Sequence, residues 1–157
     1  MMITKIQNKT VKEIGELKLV GYRVLSDGEY ANDIPKATRQ LSSRMNEIKN
    51  VIHPEFSFGA FIVDTSSEDE DGYWVGVAVD SFEDIPVGMT ALKIPPQRYA
   101  SAKYNGSNKD IFDAYDELHQ WALQKGYKRL TDKWHIEIFT AWENPDELEV
   151  ELLDTVE

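Results

Sequence analysis

The spacing of apolar residues changes along the first half of the chain, and each spacing predicts an element. Residues 19–24 form a short apolar run typical of a strand, followed by the turn signal Ser26-Asp27-Gly28. Apolar residues then recur at steps of three and four, namely Ile34, Ala37, Leu41, Met45, Ile48 and Ile52. This spacing predicts an amphipathic helix, with Asp33 as its N-cap.

Two further strands and an acidic loop follow this helix. Residues 56–63 and 73–79 are rich in aromatic and β-branched residues, and residues 66–72 between them predict a hairpin loop. The loop carries Glu68-Asp69-Glu70-Asp71 but lacks the alternating acidic spacing of a calcium-binding EF-hand loop. We therefore expect the acidic run to be solvent-exposed and to bind no metal.

The second half of the chain repeats this order of elements. A strand, a helix and two strands are predicted at residues 97–104, 111–122, 134–140 and 147–153. Gly28 and Gly106 are 78 residues apart, and so are Phe61 and Phe139. Both glycines follow a predicted strand, and both phenylalanines lie in the strand after the helix. A tandem duplication is therefore predicted.

The fold class that follows is α+β, in a single domain of residues 1–157. Pseudo-repeats at about 11–80 and 89–157 each supply a strand–helix–strand–strand unit, and together they form one antiparallel sheet. The connector at 81–96 contains three prolines and a short predicted strand near 89–94. The hydrophobic share of 41% is sufficient for a core of this size.

Strand alternation gives Glu137 an unusual place. Trp134, Ile136 and Ile138 share one face, whereas Glu137 lies on the other face between His135 and Phe139. Because the helices need an apolar partner, we expect both of them on the apolar face and a ligand cleft on the face of Glu137. The alternative is an ordinary exposed position, since antiparallel sheets often leave one face to solvent.

The aromatic residues favour a cleft over an exposed face. Those in or beside the strands are Tyr73, Trp74, Tyr99, Tyr104, Trp134, Phe139 and Trp142, more than one covered face needs. Gly59 lies 78 residues before Glu137, so the equivalent position has no side chain; it either leaves space opposite Glu137 or marks a β-bulge. A carboxylate among aromatic rings suits an organic cation, because charge attraction strengthens as water is excluded and ring faces add cation–π contacts.

Composition excludes several other functions. The net charge is −11 over 157 residues with no basic cluster, so neither direct nucleic-acid binding nor an anionic membrane surface is expected. Cysteine is absent, and His53, His119 and His135 are scattered, so no metal site is expected. Phosphate-binding and nucleophile-elbow motifs are also missing, and we expect no cofactor. Without a signal peptide or an apolar span, a cytoplasmic location is predicted.

Several short stretches in order resemble the GyrI-like effector-binding family. They are Ile-Pro-Pro-Gln-Arg-Tyr-Ala-Ser-Ala-Lys-Tyr-Asn-Gly at 94–106, Ala-Tyr-Asp-Glu-Leu-His-Gln-Trp at 114–121, Gly126-Tyr127, and Ile-Glu-Ile-Phe at 136–139. The resemblance extends from about Val11 onward. Domains of this family also form the ligand-sensing parts of AraC-type and MerR-type multidrug regulators. Only about ten residues precede the first predicted strand here, too few for a helix-turn-helix, so direct transcriptional control is not expected.

The resemblance implies a duplicated fold with a ligand cleft between the copies. The buried acidic residue that the family uses for lipophilic cationic drugs corresponds to Glu137, and the candidate wall residues are Trp74, Phe139, Tyr99 and Tyr30. The leading hypothesis is a binding protein for hydrophobic, cationic small molecules. The alternatives are a hydrolase of cyclopropane-bearing genotoxins with Glu137 as its catalytic group, and an inhibitor that binds a DNA-acting protein partner.

Overall fold

The computed structural model describes residues 5–25, 30–65, 67–141, 144 and 146–157, and for Ala31 and Ala141 the backbone alone. Its strands and helices follow the predicted order, with one further strand, which was not predicted, at the start. The strands are β1 (Ile6–Ile14), β2 (Leu17–Val24), β3 (Ser57–Ile62), β4 (Tyr73–Ala78), β5 (Thr90–Ile94), β6 (Gln97–Gly106), β7 (Trp134–Ala141) and β8 (Leu148–Val156). The α-helices are α1 (Tyr30–Arg44) and α2 (Ile111–Gln124). Trp142 and the turn at 26–28 lie outside the described residues.

The strands form one antiparallel sheet in the order β1-β6-β8-β7-β3-β4-β2-β5. The counterparts in the two halves are β1 and β5, β2 and β6, β3 and β7, and β4 and β8. Exchanging each strand with its counterpart gives the same order read backwards. The centre of this pseudo-symmetry is the β3–β7 pair, in which Gly59 lies opposite Glu137. The α+β class, with an antiparallel sheet and two helices, is confirmed. The repeat boundaries at about 11–80 and 89–157 stay a prediction.

Each helix covers its own half of one sheet face. Helix α1 packs on β2 and β4, and α2 packs on β6, β8 and β1. The buried residues Ala114, Leu118 and Ala122 of α2 are four positions apart, which places them on one side of the helix. Helix α1 begins at Tyr30, before the predicted cap Asp33, and it ends at Arg44, where a short 3₁₀ turn begins. The predicted apolar stripe therefore runs past the end of α1.

The opposite face of the sheet is buried by packing against other strands of the same sheet. Its buried apolar residues come from strands near both ends of the sheet order and form one cluster: Leu19, Phe58, Ala60, Trp74, Ala78, Ile94, Tyr99, Trp134, Ile136 and Leu153. Because strands β5 and β6 stand near opposite ends of the order and both contribute, the sheet bends around this cluster. The apolar side of β7 therefore needs no helix.

The prediction that the helices and Glu137 lie on opposite faces is therefore wrong. Glu137 lies on the helix side, in contact with Tyr115 of α2. The reasoning assumed that only helices could cover the apolar face of β7. Within the described part of the chain, no helix is long and apolar enough to cross a membrane.

Candidate ligand-binding site

The side chain of Glu137 is buried at the centre of the sheet and carries two hydrogen bonds. Its residue is 6% exposed. The Tyr115 hydroxyl donates to Oε2 at 2.5 Å, and the Tyr73 hydroxyl donates to Oε1. Tyr73 belongs to β4 in the first half of the chain, and Tyr115 to α2 in the second half. Both carboxyl oxygens accept hydrogen bonds, which is the pattern expected for an ionised carboxylate.

Gly59 makes room for one of these donors. A Cβ atom at this position would lie 1.7 Å from the Tyr73 hydroxyl oxygen and 3.1 Å from Glu137 Oε1. No side chain fits there unless the tip of the Tyr73 ring moves. The space that Gly59 leaves opposite Glu137 is thus filled by the Tyr73 hydroxyl.

Burial shifts the pKa values of all three groups upward. Burial raises the pKa of Glu137, and the hydrogen bonds from Tyr115 and Tyr73 oppose that rise by stabilising the carboxylate. Burial also holds the pKa of both tyrosines well above their usual range, and the negative charge of Glu137 adds to this effect. The two hydroxyls therefore stay protonated and remain donors.

A cavity of about 420 Å³ opens beside Glu137, between the N-terminal halves of the two helices. This volume is within the usual range for small-molecule sites, about 300–1,000 Å³. The lining side chains are mostly apolar or aromatic and include Tyr30 and Ile34 of α1, Ile111 of α2, and Phe61 and Phe139 of the sheet. The described lining includes no lysine, arginine or histidine. Within the cavity, the charge of Glu137 thus faces neutral groups and the carboxylate of Asp71 at the edge.

Phe61 contacts both tyrosines that donate hydrogen bonds to Glu137. Its ring stacks on Tyr73, with centroids 5.9 Å apart and planes at 19°, and meets Tyr115 edge-on at 6.4 Å. Aromatic pairs in these geometries contribute about 0.5–1.5 kcal/mol beyond their buried area. The two donors to Glu137 are therefore held by ring packing as well as by hydrogen bonds.

The structure brings together only some of the predicted site residues. Glu137, Phe139 and Tyr30 line the cavity. Trp74 and Tyr99 do not, because both side chains lie in the cluster on the opposite sheet face. The resemblance implied Trp74 and Tyr99 as wall residues, but neither belongs to the lining of this cavity.

Three cavity residues were missed by the sequence analysis. Tyr73 was counted among the aromatics without a specific role, Tyr115 appeared only within the stretch at 114–121 that carries the family resemblance, and Phe61 served only to align the halves. Both tyrosines have a hydroxyl that needs a partner when buried, which is the signal that could have found them. The described residues contain no group of three or more histidine, aspartate or glutamate side chains placed to hold a metal ion.

Fold and cavity together define a class of α+β domains with a pocket at the junction of two similar halves. A model of the integron-associated effector binding protein family matches residues 10–153, which is most of the chain. The chain therefore belongs to this family of effector-binding proteins. A search of curated protein sequences finds no match.

Solved structures with the same fold are distant in sequence. A chain of the EcmrR–DNA complex is 20% identical with a TM-score of 0.71, and the match covers 99% of this chain and 59% of that one. This protein thus spans little more than half the length of that EcmrR chain. SAV2435, solved bound to tetraphenylphosphonium, is 15% identical with a TM-score of 0.69, covering 96% and 94%. The Vibrio cholerae integron cassette protein is 14% identical with a TM-score of 0.61, covering 97% of each chain.

Proposed function

We propose that this protein binds hydrophobic organic cations in the cavity beside Glu137, as a sensor or by sequestration. The observation that carries the proposal is a buried carboxylate in an aromatic cavity whose described lining has no cationic side chain. Such a site offers a cation an attraction that water does not screen. The binding of tetraphenylphosphonium by SAV2435, a protein of the same fold, supports the choice of ligand class.

The expected affinity comes from charge and apolar contact together. Each ring face against the cation, such as Phe61 or Tyr73, adds about 0.5–2 kcal/mol. Burial of the ligand's own rings against Ile34, Ile111 and Phe139 supplies the hydrophobic part. A flat or globular aromatic cation uses both contributions, whereas a small inorganic cation would use only the first.

The test is a comparison of wild type and Glu137→Gln by isothermal titration calorimetry. The substitution keeps the shape of the side chain and removes its charge. We expect the affinity for tetraphenylphosphonium to fall at least several-fold, while a neutral aromatic compound of similar size binds both proteins equally. Circular dichroism shows whether the fold is retained. Equal affinity of the cation for both folded proteins would refute the role of Glu137.

The hydrolase alternative differs in what it requires of Glu137. A general base must have an oxygen within reach of the water that it deprotonates. Each oxygen of Glu137 accepts one tyrosine hydroxyl, so a hydrolase would require water to reach one of the remaining lone pairs. Incubating the protein with an electrophilic cyclopropane compound tests this choice. Conversion by wild type, lost in Glu137→Gln, would support the hydrolase.

A further inference from the structure

A second buried carboxylate lies outside the cavity, on strand β8. Asp154 is 1% exposed, and three basic side chains surround it. His135 Nδ1 lies 2.5 Å from Oδ1, Arg129 Nε lies 2.7 Å from Oδ2, and His119 Nε2 lies 3.3 Å from Oδ2. Neither Asp154 nor any of these partners lines the cavity. The cluster therefore has no direct contact with a ligand bound beside Glu137.

The surroundings of Asp154 keep it ionised. Burial alone would raise its pKa, but the hydrogen-bonded Arg129 and the nearby His119 and His135 hold the pKa of this carboxyl well below its usual range. A buried charge that loses its partners is strongly destabilising. The carboxylate of Asp154 therefore holds three parts of the chain together. His119 belongs to α2, His135 to β7 and Arg129 to the segment between them.

Helix α2 meets the two buried carboxylates with neighbouring side chains. Tyr115 and His119 are four residues apart, one helical turn, and their rings are 5.9 Å apart. The Tyr115 hydroxyl donates a hydrogen bond to Glu137, whereas His119 Nε2 lies 3.3 Å from Asp154 Oδ2 without hydrogen-bond geometry. Apolar burial is non-directional, whereas a hydrogen bond depends on distance and angle. The Tyr115 hydrogen bond therefore fixes where α2 sits along the sheet, and the close approach of His119 to Asp154 holds the adjacent helical turn against β8.

We propose that Asp154 and His119 are positioning residues for the cavity, since their contact holds α2 where the Tyr115 hydroxyl reaches Glu137. A second connection runs through His135, whose ring stacks on Phe61 at 5.5 Å and 17°. Phe61 in turn stacks on Tyr73, the other donor to Glu137. The functional meaning of this inference rests on the proposed function, because it concerns the same cavity.

The test follows the titration of the Glu137 carboxyl by carbon-13 NMR, which requires no ligand. In Tyr115→Phe the carboxylate loses a donor, so its titration midpoint moves to higher pH. His119→Gln should move the midpoint in the same direction. It should add little in the Tyr115→Phe background, because the two changes act through one hydrogen bond. An unchanged midpoint in His119→Gln, or equal shifts in both backgrounds, would overturn the proposal.

Two further variants guard the interpretation. His119→Phe keeps a ring against Tyr115 but has no Nε2, so it should behave as His119→Gln does. Glu151→Gln is the matched control, because Glu151 is also a carboxylate of β8 but pairs with Lys12 outside the Asp154 cluster. It should leave the Glu137 titration unchanged. A shift of the same size in the control would assign the effect to general loosening of the fold.

Ligand affinity provides a second, independent measurement of the role of His119. We expect His119→Gln to weaken tetraphenylphosphonium binding several-fold and Glu151→Gln to leave it unchanged. If wild type binds no tetraphenylphosphonium, the proposed function fails, but the NMR titration still decides whether His119 positions Tyr115. The two failures are therefore distinguishable.

Discussion

Replacing Gly59 with alanine places a methyl group where the structure has the Tyr73 hydroxyl. The new Cβ would lie 1.7 Å from that oxygen and 2.5 Å from the ring carbon Cζ. The tip of the ring must therefore move, and its hydrogen bond to Glu137 is lost. The backbone of Gly59 has an ordinary extended conformation, so the expected effect is steric and does not come from backbone strain.

The loss can be worked from these contacts. A hydrogen bond to a charged group contributes about 1.5–3 kcal/mol. The displaced ring also loses part of its stacking on Phe61, where aromatic pairs contribute about 0.5–1.5 kcal/mol. We expect Gly59→Ala to lower the free energy of unfolding by about 2–4 kcal/mol. Urea unfolding at neutral pH, followed by circular dichroism, measures this quantity.

Two comparisons make the result specific. Gly15→Ala is the matched control, because a Cβ there meets no atom within 4 Å. It should leave stability unchanged or raise it slightly. In a Tyr73→Phe background the hydrogen bond is already absent, so Gly59→Ala should cost less than it does in wild type. A Gly59→Ala protein within about 0.5 kcal/mol of wild type, the usual range for innocuous surface changes, would refute this account of the site.

Four further outcomes follow from the same geometry. Burial raises the pKa of Glu137, so tetraphenylphosphonium affinity should fall as pH drops through that pKa, and calorimetry should find no such fall in Glu137→Gln. Because the pKa of Glu137 is higher in the folded than in the unfolded protein, its contribution to stability is complete below the unfolded pKa and is lost as pH rises through the folded pKa. The melting temperature of wild type should therefore fall relative to that of Glu137→Gln as the pH approaches neutral. Trp74→Phe and Tyr99→Phe change the opposite sheet face and should leave cation affinity unchanged; a several-fold loss would place the ligand there. Phe112 is 74% exposed at the cavity mouth, so Phe112→Ser should weaken cation binding with an unchanged melting temperature, and a lowered melting temperature would show a packing role instead.

The period of the apolar residues was sufficient to predict most elements of the fold. Helix α2 and the strands after each helix were found because their buried faces are regular. Strand β1 was missed because its residues 7–10 are polar and exposed, and Asn8 interrupts its regular backbone with a φ of 56°. An edge strand of this kind carries little hydrophobic pattern, although it pairs with β6 along most of its length.

The site was less accessible to sequence reasoning than the fold. Alternation correctly separated Glu137 from Trp134 and Ile136, but it cannot tell which face a helix covers. That choice depended on the bending of the sheet, which buries residues as far apart in sequence as Leu19 and Leu153 in one cluster. The partners of Glu137 are similarly long-range, since Tyr73 lies 64 residues away. Contacts of this kind leave no local periodicity.

The register of the central strands explains why the two halves must differ at this point. Gly59 and Glu137 are equivalent in the two halves and also lie directly opposite each other. Two carboxylates at these positions would be like charges on facing strands, which is destabilising. A pocket at the junction of two similar halves can therefore hold one buried carboxylate only if the other half has a small residue there. Once that residue is glycine, the same half can supply the Tyr73 hydroxyl to the space, and each half then contributes one donor to the single charge.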